Sequence, residues 1–413
     1  MQMRGALHGV KVLDLSSVFM GPMAAQHLGD MGAEVIKLEA PEGDLTRAIG
    51  PSRSPKMGAV FLSYNRNKRS VVLDLKHPDA REVLHRLVRE ADVVLHSIRN
   101  PAAAKLDLSY DALRAVKPSL IYCHLKGFAD GGDYQDQPAF DDIIQSLSGL
   151  AMLQSAIGGE PRYVPSAIAD KVCGLHAAYA LSMALLHRFR TGEGQEVKLS
   201  MLETMAAFNL SEHQWGHVFD PPLAPMGYPS VRAGSRRPCK TRDGYLAFLP
   251  YSDAQWHSFF RRVGKPELIA HPAFATFAGR QKHFKEVFAF LDTELSQRST
   301  AEWLEVLKDL DIPMARVNDL EALETDPHLQ AVGFWQTLEH PTEGRLKFPA
   351  NPIGLQQTPP VVRRMAPHLG EHTRQVLAEH GLGDDEIARL IERGAAVQHT
   401  AMDPAIEADA EPA

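Results

Sequence analysis

Asp170 is the first candidate for a residue that does chemistry, because it stands where a long apolar helix is predicted to begin. From Val172 to Phe189 apolar residues recur at helical spacing, and no residue between Ala177 and Leu186 is charged. A helix of this kind is typical of a protein interior. A carboxylate at its start faces free backbone N–H groups and the positive end of the helix dipole. The same groups can stabilise negative charge on a reacting carbonyl.

A second interpretation of Asp170 is purely structural. Aspartate is among the residues most favoured at a helix N-cap, where its side chain accepts a backbone hydrogen bond. On composition alone the cap is the commoner role for an aspartate in this position. Both interpretations therefore stay open until other parts of the chain are considered.

The composition limits the class of protein. The chain has 413 residues, of which 44% are hydrophobic and 23% charged. These values are ordinary for soluble globular proteins of about two or three domains. The sequence contains no run of about eighteen apolar residues and no apolar signal-peptide segment after Met1, so we expect a cytoplasmic protein without a membrane partner. The net charge of -7 argues against a general nucleic-acid binder.

Motifs for metals and for common nucleophiles are missing. The cysteines Cys123, Cys173 and Cys239 are scattered and show no zinc-ligand spacing. His213 and His217 are four residues apart but lack the glutamate of a zinc protease helix. Neither a G-x-S-x-G elbow nor a Walker-type loop occurs. We therefore expect no metal site.

The N-terminal part of the chain alternates strands and helices. Val10–Leu15 and Glu34–Leu38 have the pattern of buried strands, and Met23–Met31 that of a helix ending at Gly32. This βαβ unit predicts an α/β fold with an open parallel sheet. The turn Ser16–Pro22 lacks G-x-G-x-x-G, so a nicotinamide cofactor is not expected.

Two basic residues follow later strands of the same predicted sheet. Arg99 comes after the strand Val93–His96, and Lys126 comes after the strand Leu120–Leu125. In open parallel sheets, ligands bind beyond the carboxyl ends of the strands. Each cation alone is commonly a solvated surface residue, but the two together predict a polyanionic ligand.

Several short motifs resemble those of the family III CoA-transferases, which include formyl-CoA and carnitine CoA-transferases. They occur in the family's order over nearly the whole chain, from about Leu7 to Val397. The motifs are Val12–Leu15 followed by Gly21-Pro22, Gly32–Glu39, Asn65–Ser70, Leu113–Ala115 with Pro118–Tyr122, Gly192–Gln195, Ile312–Val317, Asp326–His328 and Leu369–Thr373.

The resemblance implies a Rossmann-like large domain with an open parallel sheet, built from both ends of the chain, that binds coenzyme A. It also implies a smaller α+β domain and an interlocked homodimer. Prolines and glycines between Phe219 and Arg237 mark a linker. The predicted parts are a large domain over 1–215, a linker over 216–240, the small domain over 241–325, a return segment over 326–397 that completes the large domain, and a disordered tail over 398–413.

Asp170 matches the family's nucleophilic aspartate, which reverses the preference for the cap. In the family mechanism this carboxylate attacks a donor acyl-CoA to give a mixed anhydride. The released thiolate converts the anhydride into an aspartyl-CoA thioester, and an acceptor carboxylate then takes over the CoA. Covalent catalysis of this kind needs a water-poor site. The expected partners are an acyl-CoA and a carboxylic acid, with coenzyme A as a substrate and no permanently bound cofactor.

Other positions match family residues that contact coenzyme A or the acyl group. Phe19 and Phe140 stand where the formyl-CoA branch has polar, substrate-facing side chains, so we expect an acyl group larger and less polar than formyl or oxalyl. Many relatives have arginine in place of Ala40, and an Asn-Phe-Arg-Pro-Gly pattern that places proline at Asn100, so the phosphate contacts are expected to differ. The predicted CoA contacts are Val18, Leu73, Ser97, Ile98, Arg99 and Lys126.

Two alternatives remain. The α-methylacyl-CoA racemases share the fold and the aspartate, but they pair it with a histidine in a His-Asp-Ile-Asn-Tyr motif. Phe140 stands at the position of that histidine here, so one of the two bases is missing and transfer is favoured over racemisation. The other alternative is a paralogue that binds coenzyme A without catalysis.

Overall fold

A computed structural model describes residues 5–232 and 237–399. The predicted linker over 216–240 is described apart from 233–236, and the predicted tail over 398–413 lies outside the described residues from position 400 onward. The chain forms two compact units. Of the described residues, the first unit comprises 5–150, 163–208 and 333–399, and the second comprises 151–162, 209–232 and 237–332.

The strands are distributed over both units. In chain order they are β1 (Lys11–Leu15), β2 (Glu34–Glu39), β3 (Lys68–Leu73), β4 (Val93–His96), β5 (Ile121–Lys126), β6 (Glu196–Ser200), β7 (Cys239–Lys240), β8 (Tyr245–Phe248), β9 (Met314–Arg316), β10 (Trp335–His340), β11 (Gly344–Pro349) and β12 (Ala396–Val397).

The helices connect these strands and cover the large sheet. They are α1 (Met20–Asp30), α2 (Ala59–Tyr64), α3 (Ala80–Glu90), α4 (Asn100–Lys105), α5 (Tyr110–Val116), α6 (Asp141–Leu147), α7 (Leu150–Gly158), α8 (Ile168–Thr191), α9 (Met201–His213), α10 (Pro229–Arg232), α11 (Asp253–Arg262), α12 (Phe277–Lys282), α13 (Phe284–Leu295), α14 (Thr300–Leu307), α15 (Ala322–Thr325), α16 (Pro327–Ala331), α17 (Thr373–Glu379) and α18 (Asp384–Glu392). Short 3-10 helices cover Leu45–Ala48, Trp215–Val218 and Pro266–Ala270.

A seven-stranded sheet forms the centre of the first unit, in the order β12-β3-β2-β1-β4-β5-β6. β12 runs antiparallel to β3, and the other neighbours are parallel. Leu13 of β1 lies opposite Ile36 of β2 on one side and Val94 of β4 on the other. The strand order therefore reverses between β1 and β4. In Rossmann-like sheets this reversal opens a crevice at the carboxyl ends of the strands, where ligands bind.

The sequence explains why these strands lie inside the unit. β4 has the sequence Val-Val-Leu-His, without alternation of apolar and polar residues, and all of its residues are buried. Such a run is typical of a parallel strand that is covered by helices on both faces. The C-terminal part of the chain returns to this unit, because β12 pairs with β3 through Ala396 opposite Leu73. The predicted α/β fold with a large, mostly parallel sheet is confirmed.

The second unit is a smaller α+β structure. β7, β8 and β9 form an antiparallel sheet, which accounts for the smaller α+β part of the predicted fold. Helices α11, α13 and α14 supply aromatic and aliphatic side chains to its core. α11 begins with a capping box in which Ser252 and Gln255 satisfy each other's backbone N–H groups.

The helix that carries Asp170 buries only one of its faces. Cys173, Ala177 and Leu181 on α8 are fully buried, whereas Tyr179 is 65% and Phe189 is 73% exposed. The expectation of a wholly interior helix is therefore wrong for the single chain. No helix within 5–232 and 237–399 is long and apolar enough to cross a membrane.

Candidate active site

Asp170 is the third residue of α8 and is buried, with 9% of its surface exposed. The N-cap position belongs to Ala167, whose side chain makes no cap hydrogen bond. The N-cap interpretation of Asp170 is therefore not what the structure has. The carboxylate points instead into a cavity, and another residue must satisfy the N–H groups that begin the helix.

Asp141 supplies the missing cap from α6. Its Oδ1 accepts the backbone N–H groups of Ala169 at 2.7 Å and Asp170 at 3.1 Å. The Nε2 of Gln145, one turn along α6, donates to Asp141 Oδ2 at 2.6 Å. Gln145 also accepts the backbone N–H of Val164 at 2.8 Å. These bonds fix the chain before α8 and the first turn of α8 to α6.

The surroundings of Asp170 disfavour its charged form. Burial raises the pKa of its carboxyl to about 7, and the negative charge of Asp141 adds to the rise. A hydrogen bond from the backbone N–H of Met20 acts in the opposite direction. Among the described residues the charged group that acts on this pKa is thus a carboxylate rather than a cation. A carboxylate poorly solvated in this way retains its capacity to attack a carbonyl carbon.

The loop that presents Met20 to Asp170 is held in an unusual conformation. Val18 has a φ of 72°, in the left-handed region that β-branched residues seldom adopt. The backbone N–H of Val18 donates to Asp44 Oδ1 at 3.2 Å. The Nζ of the buried Lys37 donates to Asp44 Oδ2 at 2.8 Å and to the backbone carbonyl of Ser16, in the same loop, at 3.0 Å. This buried ion pair therefore holds the loop in place through hydrogen bonds.

Asp170 lies in the wall of a cavity of about 330 Å³, which we call the Asp170 cavity. The cavity opens at the carboxyl ends of β1, β4 and β5, the place expected from the reversal of strand order. Six residues predicted from the sequence line it: Val18, Ser97, Arg99, Lys126, Phe140 and Asp170. Met20, Leu45, Ala139 and Met201 add apolar surface to the walls.

A second cavity of about 290 Å³ contains the remaining two predicted CoA contacts, Leu73 and Ile98. We call it the leucine cavity, because Leu38, Leu75 and Leu106 also line it. Ser17 lines both cavities, so they meet at the β1–α1 loop. Ala40 also lines this cavity.

Phe19 does not line the Asp170 cavity. Its ring packs edge-on against Tyr64, with ring centroids 5.2 Å apart. Tyr64 is half-buried, and its pKa is raised by burial and by the charge of Asp170. Tyr64 therefore lies within electrostatic range of the Asp170 carboxylate, but it is not among the residues that line the Asp170 cavity.

Comparison with known proteins agrees with these observations. A family model described as CoA-transferase family III matches residues 7–373 of this chain. The chain belongs to the family III CoA-transferases. It is 34% identical over 387 residues to a succinate–glutarate CoA-transferase of Agrobacterium fabrum, covering 90% of this chain and 95% of that protein. It is 31% identical over 407 residues to a formyl-CoA:oxalate CoA-transferase of Escherichia coli O6:H1, covering 93% and 98%.

Solved structures show the same fold. A CAIB/BAIF family protein from Brucella suis superposes with a TM-score of 0.78 at 30% identity and covers 91% of this chain and 100% of its own. A protein from Mycobacterium tuberculosis superposes with a TM-score of 0.80 at 28% identity, covering 90% and 99%. The fold of this family III CoA-transferase is therefore shared with experimentally determined structures.

Three residues of the site were not predicted from the sequence. Asp141 and Gln145 hold the start of α8, and Tyr64 lies within electrostatic range of Asp170. The spacing of Asp141 and Gln145, one helical turn, was visible in the sequence and is the one signal that they share a face. Their partners lie some twenty to thirty residues away, so the pairing itself depends on the fold.

The described residues include no cluster of three or more histidine, cysteine or acidic side chains that could hold a metal ion. Cys173, one turn after Asp170, is fully buried, and burial together with the charge of Asp170 raises the pKa of its thiol to about 12. It is therefore a neutral core residue at physiological pH. His213 accepts the backbone N–H of Tyr228 at 3.1 Å, a structural bond.

Proposed function

We propose that this family III CoA-transferase moves coenzyme A from an acyl-CoA thioester to a free carboxylic acid, with Asp170 as the nucleophile. The observation that carries the proposal is the buried Asp170 carboxylate, which faces a cavity and has a carboxylate and a backbone N–H as its neighbours instead of a cation. A carboxylate neutralised by a salt bridge would be a poorer nucleophile. The names of the two relatives describe the same class of exchange.

The reaction balances without a net proton transfer. The Asp170 carboxylate attacks the thioester carbonyl, the C–S bond breaks, and a mixed anhydride and a CoA thiolate form. The thiolate attacks the aspartyl carbonyl and expels the donor acid, which leaves an aspartyl-CoA thioester. The acceptor carboxylate attacks this thioester, and the thiolate released then takes the acceptor acyl group from the new anhydride. The last step restores Asp170.

The cavity walls support an acyl group larger and less polar than formyl or oxalyl. Leu45 and Phe140 line the cavity and are 66% and 63% exposed in the single chain. Apolar side chains at the mouth of a cavity favour an acyl group that removes them from water. Coenzyme A is proposed to extend from this cavity past Ser17 into the leucine cavity.

Intact-protein mass spectrometry tests the proposal. The wild-type protein and Asp170→Ala are incubated with a panel of acyl-CoAs, treated with hydroxylamine and mapped by peptide. We expect a CoA adduct and a hydroxamate at Asp170 in the wild type and neither in the variant. The acyl-CoAs that give the adduct identify the donor class. CoA binding without any adduct or acyl exchange would leave the non-catalytic paralogue as the better description. Acyl exchange that survives Asp170→Ala would contradict a nucleophilic role for Asp170.

The racemase alternative lacks a histidine as second base at the site of Asp170. The described residues that line the Asp170 cavity include no histidine. Proton exchange at an α-carbon by two bases requires such a group on the opposite face of the substrate. If deuterium from the solvent enters the α-carbon of a branched acyl-CoA while no adduct forms, racemisation replaces transfer as the proposed function.

A homodimer is part of the proposal. The exposed face of α8 carries a stripe of apolar residues at intervals of three and four, which is too continuous for an ordinary solvated helix. The stripe consists of Leu175, Tyr179, Met183, Leu186 and Phe189. A second copy of the chain, interlocked with the first as the family resemblance implies, would cover it. The cytoplasmic location stays a prediction, consistent with three cysteines that are all free and buried.

A further inference from the structure

Three hydrogen-bond donors converge on the side chain of Asp130, which follows β5. Lys126 Nζ contacts Asp130 Oδ1, and Asn100 Nδ2 donates to the same oxygen at 3.3 Å. Lys198 Nζ lies 3.4 Å from Asp130 Oδ2. The Lys126 side chain is 8% exposed, whereas that of Asp130 is 39% exposed. A surface carboxylate is thus held by two ammonium groups and one amide.

This cluster lies where two cavities meet. Asn100 and Lys126 line the Asp170 cavity. Together with Asp130 and Lys198 they also line a neighbouring cavity of about 380 Å³. A ligand in the Asp170 cavity that reaches the Lys126 ammonium group therefore competes for it with the Asp130 carboxylate.

The donors suit a larger anion than a carboxylate. Lysine ammonium groups and neutral N–H donors are groups with which proteins bind phosphate esters, and a phosphate offers three oxygens to them. Asp130 cannot leave by accepting a proton at physiological pH, because its hydrogen bond with Lys126 and then that with Asn100 hold its pKa at about 2. An incoming anion can take over the donors only by displacing the carboxylate.

We propose that Asp130 occupies the position of a phosphate group of coenzyme A and that the bound phosphate displaces it from Asn100, Lys126 and Lys198. The inference rests on the proposed function, because it requires coenzyme A as the ligand. It adds Asn100 and Lys198 to the phosphate contacts and makes Asp130 a built-in competitor. Because such a competitor lowers the affinity for coenzyme A, it speeds the release of the product thioester.

Calorimetric titration with free coenzyme A tests the inference without depending on turnover. Asp130→Asn removes the competing charge and keeps the size of the side chain. We expect it to bind coenzyme A about fivefold to tenfold more tightly than the wild type, the effect of one unit charge a few ångströms from the ligand in a partly solvated site. Asp133→Asn is the matched control, since Asp133 is exposed in the same loop and its side chain makes no hydrogen bond within the described residues. The control should stay within about twofold of the wild type.

The alternative roles of Asp130 give different results. If Asp130 orients Lys126 in the bound state, Asp130→Asn weakens binding and the inference is wrong. Equal effects of Asp130→Asn and Asp133→Asn would indicate a general field effect and also overturn it. In the Asp130→Asn background, Lys198→Met should weaken coenzyme A binding about threefold or more. If the affinity does not change in this double variant, Lys198 is not part of the phosphate site. Melting curves of each variant confirm that it is folded.

A second ligand identifies which phosphate is bound. Titration with 3′-dephospho-CoA abolishes the gain of Asp130→Asn if the site takes the 3′-phosphate and preserves it if the site takes the diphosphate. Either pattern supports the inference. Absence of coenzyme A binding in the wild type and in every variant would instead refute the proposed function itself, so the two failures are distinguishable.

Discussion

The backbone N–H of Asp170 donates to Asp141 Oδ1 at 3.1 Å, while the charge of Asp141 helps to raise the pKa of the Asp170 carboxyl. One carboxylate thus fixes the position of the other and reduces the fraction of it that is ionised. A negative charge beside a buried carboxyl disfavours its ionisation, because the second charge must form next to the first. The Asp141 side chain therefore affects both the position and the protonation of the proposed nucleophile.

The first prediction concerns pH. With a pKa of about 7, Asp170 is mostly protonated at pH 6 and mostly ionised at pH 8. If the anion is the nucleophile, the rate of adduct formation should rise almost tenfold over this interval, following a single ionisation. Stopped-flow or quenched mass spectrometry at saturating acyl-CoA measures it. A flat profile would mean that the anion at Asp170 does not limit the reaction.

Asp141→Asn separates the two effects of Asp141. The variant removes the second cause of the raised pKa but retains an oxygen that can accept the N–H groups of Ala169 and Asp170. The pH profile should move to lower pH, so that the variant gains rate at pH 6 relative to its own value at pH 8. Asp142→Asn is the control, because Asp142 is exposed and directly adjacent. A profile that moves equally in both variants would contradict a specific role for Asp141.

The second prediction concerns stability. Because the folded protein raises the pKa of Asp170 above its unfolded value of about 4, folding favours the protonated form, and stability is lost as the pH rises from about 4 to the folded pKa of about 7. Asp170→Asn has no ionisable group and should melt at a higher temperature than the wild type. The gain in free energy of unfolding should grow by roughly 2–3 kcal/mol between pH 5 and pH 8. Thermal melts at both values measure it, and a gain independent of pH would refute burial of the charge as its cause.

The sequence predicted the sheet better than the site. β4 was predicted at Val93–His96, where the structure has it, since a short apolar run between polar residues leaves little freedom. By contrast, α7 was not predicted, because Gly149 and Gly159 indicate a loop and the helix between them has no charged residue to mark a polar face. Local patterns fix elements when composition changes sharply at their ends.

The placement of Asp170 shows the same limit in the site. Its position near the start of an apolar helix followed from periodicity, and its role from the resemblance to the family. That the cap of this helix comes from Asp141, 29 residues earlier, could not be predicted, because it depends on the packing of α6 against α8. Local sequence indicates a capping residue only when the cap precedes its own helix.

The third prediction concerns Gln145, which links α6 to the chain before α8. Gln145→Ala removes these bonds from the buried Asp141 Oδ2 and from the part-buried backbone N–H of Val164. Each lost bond of this kind costs about 1–3 kcal/mol, so we expect the free energy of unfolding to fall by roughly 2–4 kcal/mol. Gln375→Ala, an exposed glutamine whose Nε2 bonds a carboxylate at 2.9 Å, should change it by less than about 0.5 kcal/mol. Chemical denaturation compares the two.

Gln145 should also affect the reaction. Loss of its bond frees the Asp141 carboxylate to move, and the first turn of α8 moves with it. We expect kcat to fall more than KM rises, since the change alters the attack geometry at Asp170 and leaves the cavity walls intact. A fall in stability with unchanged kcat would show that Gln145 serves the fold alone.

The fourth prediction concerns the apolar stripe of α8. Tyr179→Glu places a charge in the middle of the stripe, where a partner chain would have to bury it without a counter-charge. We expect sedimentation velocity to show a dimer for the wild type and a monomer for the variant at the same concentration. Leu320→Glu is the control, since Leu320 is 81% exposed and lies outside the stripe, and it should remain dimeric. Tyr179→Ala keeps the test open if the glutamate variant fails to fold, because lost contact area alone should weaken the dimer. A wild-type protein that sediments as a monomer at micromolar concentration would refute the proposed homodimer directly.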